Sequence, residues 1–92
     1  MSLEITRRLE IVNERGLHAR ASARFVETVE RFDAEAEVSR DGQTVLGDSI
    51  MGLLMLAAAR GSVVEVTTRG PEAEALMEAL DRLVSARFGE ER

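Results

Sequence analysis

Apolar residues along this chain recur with two different periods, and the order in which the periods alternate limits the folds open to it. Residues 3–12, 34–39, 43–46 and 62–68 alternate apolar with polar side chains or are rich in β-branched residues, as half-buried strands are. Between and after these segments, apolar residues recur at spacings of three and four, as on one face of a helix. The sequence therefore predicts the element order β-α-β-β-α-β-α.

Turn and cap residues lie where this order needs them. Asp41-Gly42, between the second and third strands, is a strong signal for a two-residue hairpin turn. Ser49 is placed to cap the second helix, and Gly61 is the residue expected to end it. Pro71 suits the start of the third helix, where its missing N–H costs least. The strand and helix boundaries are therefore predicted by specific residues as well as by periodicity.

These elements predict a fold of the α+β class. Alternating strands bury only one face, so we expect a four-stranded, mainly antiparallel sheet with three helices on one side. Arg7 interrupts the apolar face of the first strand, which indicates a strand end or an edge position. The apolar stripe of the third helix continues as far as Phe88. We expect residues 1–92 to form a single domain.

Composition excludes several classes of function. The formal net charge of −5 argues against nucleic acid and anionic membrane surfaces as partners. Cysteine is absent, no segment resembles a secretory signal, and the longest apolar run, 50–59, is about half the length that crosses a bilayer. A single histidine offers no metal-ligand cluster, and no nucleotide-binding glycine motif is present. We therefore expect a cytoplasmic protein without metal or cofactor.

His18 is the strongest candidate for chemistry because it lies at the expected N-terminus of the first helix. Free backbone N–H groups and the positive end of the helix dipole favour a bound anion at that point. Arg20, two residues later, adds a fixed positive charge suited to phosphate oxygens. A lone histidine can also be a plain surface or structural residue. The local pattern nevertheless favours a nucleophile combined with an anion-binding site.

The second helix is a second candidate because it is apolar on nearly every side. A helix of this kind in a small domain either packs tightly in the core or presents part of its surface to a protein partner. We expect some of its large side chains to reach the surface, namely Ile50, Met51, Leu54 and Met55. Ser49 also has two interpretations. It is either an ordinary N-cap or a phosphorylation site whose phosphate would disrupt docking of a partner on the apolar face beside it.

Two segments resemble the HPr family, the histidine-containing phosphocarriers of the bacterial phosphotransferase system. Residues 16–20, Gly-Leu-His-Ala-Arg, match the family's active-site motif, and residues 48–53, Asp-Ser-Ile-Met-Gly-Leu, resemble its regulatory-serine segment. The resemblance implies the family's open-faced sandwich. It also implies that His18 accepts a phosphoryl group on Nδ1 and that Arg20 stabilises it. Ser49 would then be the site of an HPr kinase/phosphorylase.

The resemblance further implies enzyme I as phosphoryl donor and an enzyme IIA protein as acceptor. Since the sequence offers no second catalytic group, we expect a stoichiometric carrier rather than an enzyme, and an acidic single domain with a docking patch is most simply a monomer. Ala21 replaces the proline common after the arginine, and Glu27 and Glu30 stand where sugar-system members often have lysines. The first departure leaves the helix start less rigidly preset, and the second weakens the basic docking face. Residues 16–22, Gly-Leu-His-Ala-Arg-Ala-Ser, resemble forms found in nitrogen-type systems, which implies a regulatory role rather than sugar uptake. The alternative is a regulatory binding module, switched at Ser49, without histidine phosphotransfer. The implied partner-binding residues are Ala19, Ala23, Ile50, Met51 and Leu54.

Overall fold

A computed structural model of the chain describes residues 3–92, and its elements follow the predicted order. The strands and helices are, in chain order, β1 Glu4–Glu10, α1 Ala19–Glu30, β2 Glu35–Arg40, β3 Gln43–Leu46, α2 Ile50–Met55, β4 Val63–Arg69 and α3 Ala73–Ser85, followed by a 3₁₀ turn at Arg87–Gly89.

The four strands form one sheet in the order β1-β4-β2-β3, in which every neighbouring pair is antiparallel. Val66 of β4 lies opposite Arg7 of β1 on one side and Val38 of β2 on the other. The buried side chains of the strands meet apolar faces of the helices, with Phe25 of α1 and Leu76 of α3 among those that are fully enclosed. The predicted open-faced sandwich, with helices on one face of the sheet, is confirmed.

The hairpin between β2 and β3 also follows the prediction. Asp41 and Gly42 have φ values of 50° and 82°, so both central residues are in the left-handed region that a type I′ turn requires. β3 has the predicted bounds, whereas β1, β2 and β4 each differ from prediction by one or two residues at both ends.

Arg7 lies on the helix-facing side of β1, which is an edge strand as its charge suggested. Its guanidinium donates hydrogen bonds to Asp81 Oδ2 at 3.0 Å and to Glu78 Oε1 at 2.8 Å, both on α3. These two carboxylates raise the pKa of Arg7, the hydrogen bond from Glu78 contributing most. The edge position leaves the charged end half-exposed, so the side chain interrupts the apolar face without being buried unpaired.

The predicted C-terminal ends of α2 and α3 were both wrong. α2 ends at Met55 and not near Gly61, because Ala57 takes a left-handed φ of 50° and turns the chain out of the helix. α3 ends at Ser85, so Phe88 lies in the following 3₁₀ turn and not on the helical stripe, although it is fully buried. α3 also begins two residues after Pro71, at Ala73.

Within residues 3–92, no helix combines the length and the apolar composition needed to cross a membrane.

Candidate functional site

The loop before α1 is held in place by a close backbone approach at Gly16. Leu17 N–H donates to the carbonyl oxygen of Ala58 over 2.9 Å, which ties the loop to the segment after α2. Gly16 itself has φ +66°, and a Cβ there would lie 2.5 Å from the same oxygen. Only glycine fits this position, because any side chain would clash with backbone that has no freedom to move away.

Gly16→Ala should lower the free energy of unfolding by well over 1 kcal/mol, since it adds backbone strain and a steric overlap. The matched control is Gly42→Ala, because Gly42 also has positive φ but has nothing within 4 Å of the added Cβ. We expect the control to lose about 1 kcal/mol, from strain alone. Urea denaturation of the two variants measures the difference. Equal losses would contradict a steric role for the contact with Ala58.

His18 is the N-cap residue of α1, as predicted. Its backbone is extended, with φ −73° and ψ −179°, and its carbonyl oxygen accepts the Ser22 N–H over 2.8 Å. The imidazole makes no capping hydrogen bond, and its side chain is 17% exposed. The first-turn N–H groups of the helix therefore have neither an intrahelical acceptor nor the His18 ring as a partner. The site combines a partly exposed ring with donors available to an anion.

The ring has one side-chain hydrogen-bond partner among residues 3–92, and sequence reasoning missed it. His18 Nε2 contacts Glu90 Oε2, whereas Nδ1 makes no hydrogen bond to any described residue. Asn13 Nδ2 donates to the second oxygen of the carboxylate, Oε1, over 3.0 Å and to the Gly16 carbonyl oxygen over 2.8 Å. Asn13 is fully buried. It therefore connects the loop before α1 to the C-terminal segment.

These contacts determine the charge of Glu90. Burial raises the pKa of Glu90, but the hydrogen bonds from Asn13 and His18, together with attraction to His18 and Arg15, lower it by more. The pKa of this carboxyl thus lies below its usual value. Glu90 is therefore an anion at neutral pH, and an ionised carboxylate can only accept hydrogen bonds.

Arg20 is exposed on the first turn of α1 and, within the described residues, has no hydrogen bond or ion pair. Its side chain is therefore available to an anion bound near the helix N-terminus. No group of three or more His, Cys, Asp or Glu residues in the range 3–92 is arranged to hold a metal ion.

The second candidate, α2, packs against α1 and β3 and leaves part of its apolar surface uncovered. Met51 is 69% exposed, Met55 64% and Ile50 40%, while Leu53 is fully buried. Leu54 is half-buried, and on α1 Ala19 is exposed and Ala23 half-buried. Leu46, at the end of β3, is also exposed. The sequence did not predict this exposure, because alternation over only four residues does not show which face of the strand is buried.

A family model described as "PTS HPr component phosphorylation site" matches residues 5–86 of this chain. The chain belongs to the HPr family. Phosphocarrier protein HPr of Neisseria meningitidis serogroup A is 48% identical over 82 residues, covering 89% of this chain and 92% of the relative. HPr of Cupriavidus necator is 46% identical over 80 residues, covering 87% and 90%.

Solved structures of HPr proteins have the same fold. HPr-C-His from Thermoanaerobacter tengcongensis superposes with a TM-score of 0.88 at 39% identity and covers 98% of this chain and 99% of that one. HPr from Bacillus anthracis gives a TM-score of 0.84 at 40% identity and covers 88% and 96%. This HPr-family chain is thus a phosphocarrier of the phosphotransferase system.

Ser49 is the N-cap of α2, and its Oγ accepts the Gly52 N–H over 3.0 Å. Ser49→Ala should therefore lower the free energy of unfolding by about 1 kcal/mol, since one first-turn N–H loses its acceptor. The control Ser49→Asn keeps a side-chain oxygen at the cap and should remain close to the unaltered chain. Thermal denaturation compares the three proteins, and an alanine variant as stable as the asparagine variant would show that the cap contributes nothing.

Proposed function

We propose that His18 accepts a phosphoryl group on Nδ1 from phosphorylated enzyme I and passes it to an enzyme IIA protein, without independent turnover of a small molecule. The observation that carries the proposal is the ring at the N-cap of α1, which is partly exposed and has Nδ1 unpartnered among residues 3–92. The membership in a phosphocarrier family supports the reaction class.

The local charges suit a carrier that must both accept and release its cargo. The helix dipole and first-turn N–H groups stabilise a phosphoryl group on the ring by roughly 0.3–1 kcal/mol, and by up to about 2 kcal/mol in a sheltered geometry. A charge-assisted bond from Arg20 adds roughly 1.5–3 kcal/mol. Stabilisation of this size retains the group without preventing its transfer, so we assign Arg20 the role of phosphate stabilisation.

The exposed apolar face of α2 supports the proposal that the partners of this chain are proteins. Ile50, Met51 and Leu54 on α2, with Ala19 and Ala23 on α1, form the surface that we propose for enzyme I and enzyme IIA. Methionine-rich surfaces adapt to more than one partner, which a relay between two proteins requires.

Charge on α1 bears on the type of system. Glu27 and Glu30 are exposed and add two negative charges to the outer face of this helix, beside Arg20 and Arg24, so its attraction for an acidic partner is weakened. We therefore propose a regulatory or nitrogen-type phosphotransferase system in the cytoplasm, with the carrier acting as a monomer.

Ser49 is a further point of control in this proposal. A phosphate added to its Oγ by an HPr kinase/phosphorylase would place about two negative charges beside the apolar face of α2. Such a group would weaken docking by desolvation cost while leaving the rest of the fold intact.

The proposal is tested by incubating the chain with phosphoenolpyruvate and enzyme I, of nitrogen type and of sugar type in separate reactions. Intact-mass spectrometry should show the gain of one acid-labile phosphoryl group, and phosphorus NMR should assign it to a ring nitrogen. Faster uptake from nitrogen-type enzyme I would support the regulatory system. No uptake from either enzyme would contradict the carrier function.

The exposure of Ile50, Met51 and Met55 also fits a regulatory binding module that docks without transfer. That module would bind its partner with unchanged affinity whether or not a phosphoryl donor is present. Binding measured by calorimetry, alongside the transfer assay, separates the two functions.

A further inference from the structure

The C-terminal segment follows a path that is fixed at several points before it reaches the histidine. After α3, Arg87, Phe88 and Gly89 have φ values of 60°, 55° and 79°, which reverse the chain toward the start of α1. The Phe88 side chain is fully buried, and its carbonyl oxygen accepts a hydrogen bond from Arg24 of α1. A left-handed backbone is unfavourable for a bulky residue, so the packing of this segment must compensate for its strain.

The end of the segment is also attached to the active-site loop. Glu14 N–H donates to the Arg92 carbonyl oxygen over 3.0 Å. Asn13 Nδ2 donates to Oε1 of the Glu90 carboxylate, the oxygen that does not contact the His18 ring. The carboxylate is only 16% exposed. Glu90 is thus placed against His18 by contacts on both sides of it along the chain.

We propose that Glu90 is a positioning residue for phosphoryl transfer, which keeps the hydrogen of the His18 ring on Nε2 and thereby leaves Nδ1 with a free lone pair. The proposal rests on the function proposed above. An ionised carboxylate has no hydrogen to donate, so the contact with Nε2 requires that the ring supply it. The hydrogen bond at one ring nitrogen thus determines the state of the other.

The same contact stabilises the product. The Nδ1 lone pair forms a bond to phosphorus while the bond from phosphorus to the donor's leaving atom breaks, and that electron pair remains with the donor. No proton moves on His18, so the ring acquires one formal positive charge. Glu90 lies at the Nε2–H of that ring and compensates the charge, as a carboxylate does for an imidazolium in a catalytic triad. When the group moves to the acceptor, the ring returns to neutrality with its hydrogen still on Nε2.

The first test reads the ring directly and needs no partner protein. Nitrogen NMR of the unphosphorylated chain should show a hydrogen-bearing Nε2 and an unprotonated Nδ1 when the ring is neutral. In Glu90→Ala we expect a mixture of the two tautomers. Glu91→Gln is the matched control, because Glu91 is the exposed neighbour and its side chain makes no hydrogen bond to a described residue. It removes one negative charge from the same segment and should leave the tautomer unchanged.

The second test reads the transfer from enzyme I. Glu90→Ala should lower the maximal rate of phosphoryl uptake about tenfold with little change in KM, since partner docking is not altered. Glu90→Gln, which can still accept a hydrogen bond but lacks the charge, should recover part of the rate. Circular dichroism establishes that each variant is folded before its rate is compared.

The outcomes separate this inference from the proposed function. If the unaltered chain and Glu91→Gln take up a phosphoryl group and Glu90→Ala matches them in rate and tautomer, Glu90 has no positioning role and the carrier function stands. A change in KM alone would assign Glu90 to docking and overturn the inference. If even the unaltered chain takes up no group, the carrier function fails and the inference falls with it.

Discussion

His18→Ala should take up no phosphoryl group from phosphorylated enzyme I under conditions in which the unaltered chain takes up one. The chain contains a single histidine, and no cysteine is present to serve as an alternative nucleophile. The fold should survive the change, because the side chain is a partly exposed N-cap that makes one hydrogen bond within the described residues. We expect a loss of at most about 1 kcal/mol in the free energy of unfolding.

Intact-mass spectrometry after incubation with phosphoenolpyruvate and enzyme I measures this result. Ser49→Ala is the control, since it removes the other proposed phosphorylation site and should still accept one group. Uptake by His18→Ala would assign the acceptor to another residue. A regulatory response that persists in His18→Ala without any transfer would favour the binding module instead.

Periodicity predicted the fold because each element buries one face. The change of period between strands and helices depends only on neighbours along the chain, and the Asp41-Gly42 turn is equally local. Predicting the four-stranded antiparallel sheet, covered on one side, therefore needed no information about contacts between residues far apart in the sequence. The position of His18 at the start of α1 was predictable for the same reason.

The two helix ends were mispredicted for a shared physical reason. A helix commonly ends where a residue takes the left-handed conformation, and glycine does so at least cost. Here Ala57 ends α2 and Arg87 ends α3, with φ values of 50° and 60°. Neither residue is a glycine, so the positions of glycines in the sequence did not reveal either end. The prediction instead moved to a later glycine in one case and along the apolar stripe in the other.

Glu90 could not be predicted as part of the site because its contact with His18 joins residues far apart in sequence. A charged C-terminal tail has no periodicity, and its charge alone indicates a solvated end. The contact exists because Phe88 is buried and turns the segment back over α1. The one available signal was the apolar stripe running to Phe88, which indicated burial correctly and conformation incorrectly.

That dependence makes Phe88→Ala the substitution with the largest expected effect on stability. Phe88 is fully enclosed within the cluster of buried apolar side chains, and removing a buried phenyl group costs about 3–5 kcal/mol. A domain of this size has a total stability of about 5–15 kcal/mol. Each kcal/mol lowers Tm by about 4–8 °C, so we expect a fall of more than about 12 °C. Met55→Ala is the control, since its side chain is 64% exposed and should change stability by less than about 0.5 kcal/mol.

The same variant should also release Glu90 from the histidine. The burial of Phe88 fixes the segment that places the carboxylate, so its loss allows residues 89–92 to leave the site. Nitrogen NMR at a temperature well below the lowered Tm should then show a mixture of His18 tautomers, as in Glu90→Ala, although Glu90 itself is present. Chemical denaturation measures the free energy of unfolding of Phe88→Ala and of the control Met55→Ala. A loss below 1 kcal/mol with an unchanged tautomer would mean that contacts of Asn13 and Glu14, rather than the buried phenyl group, hold the segment against the active site.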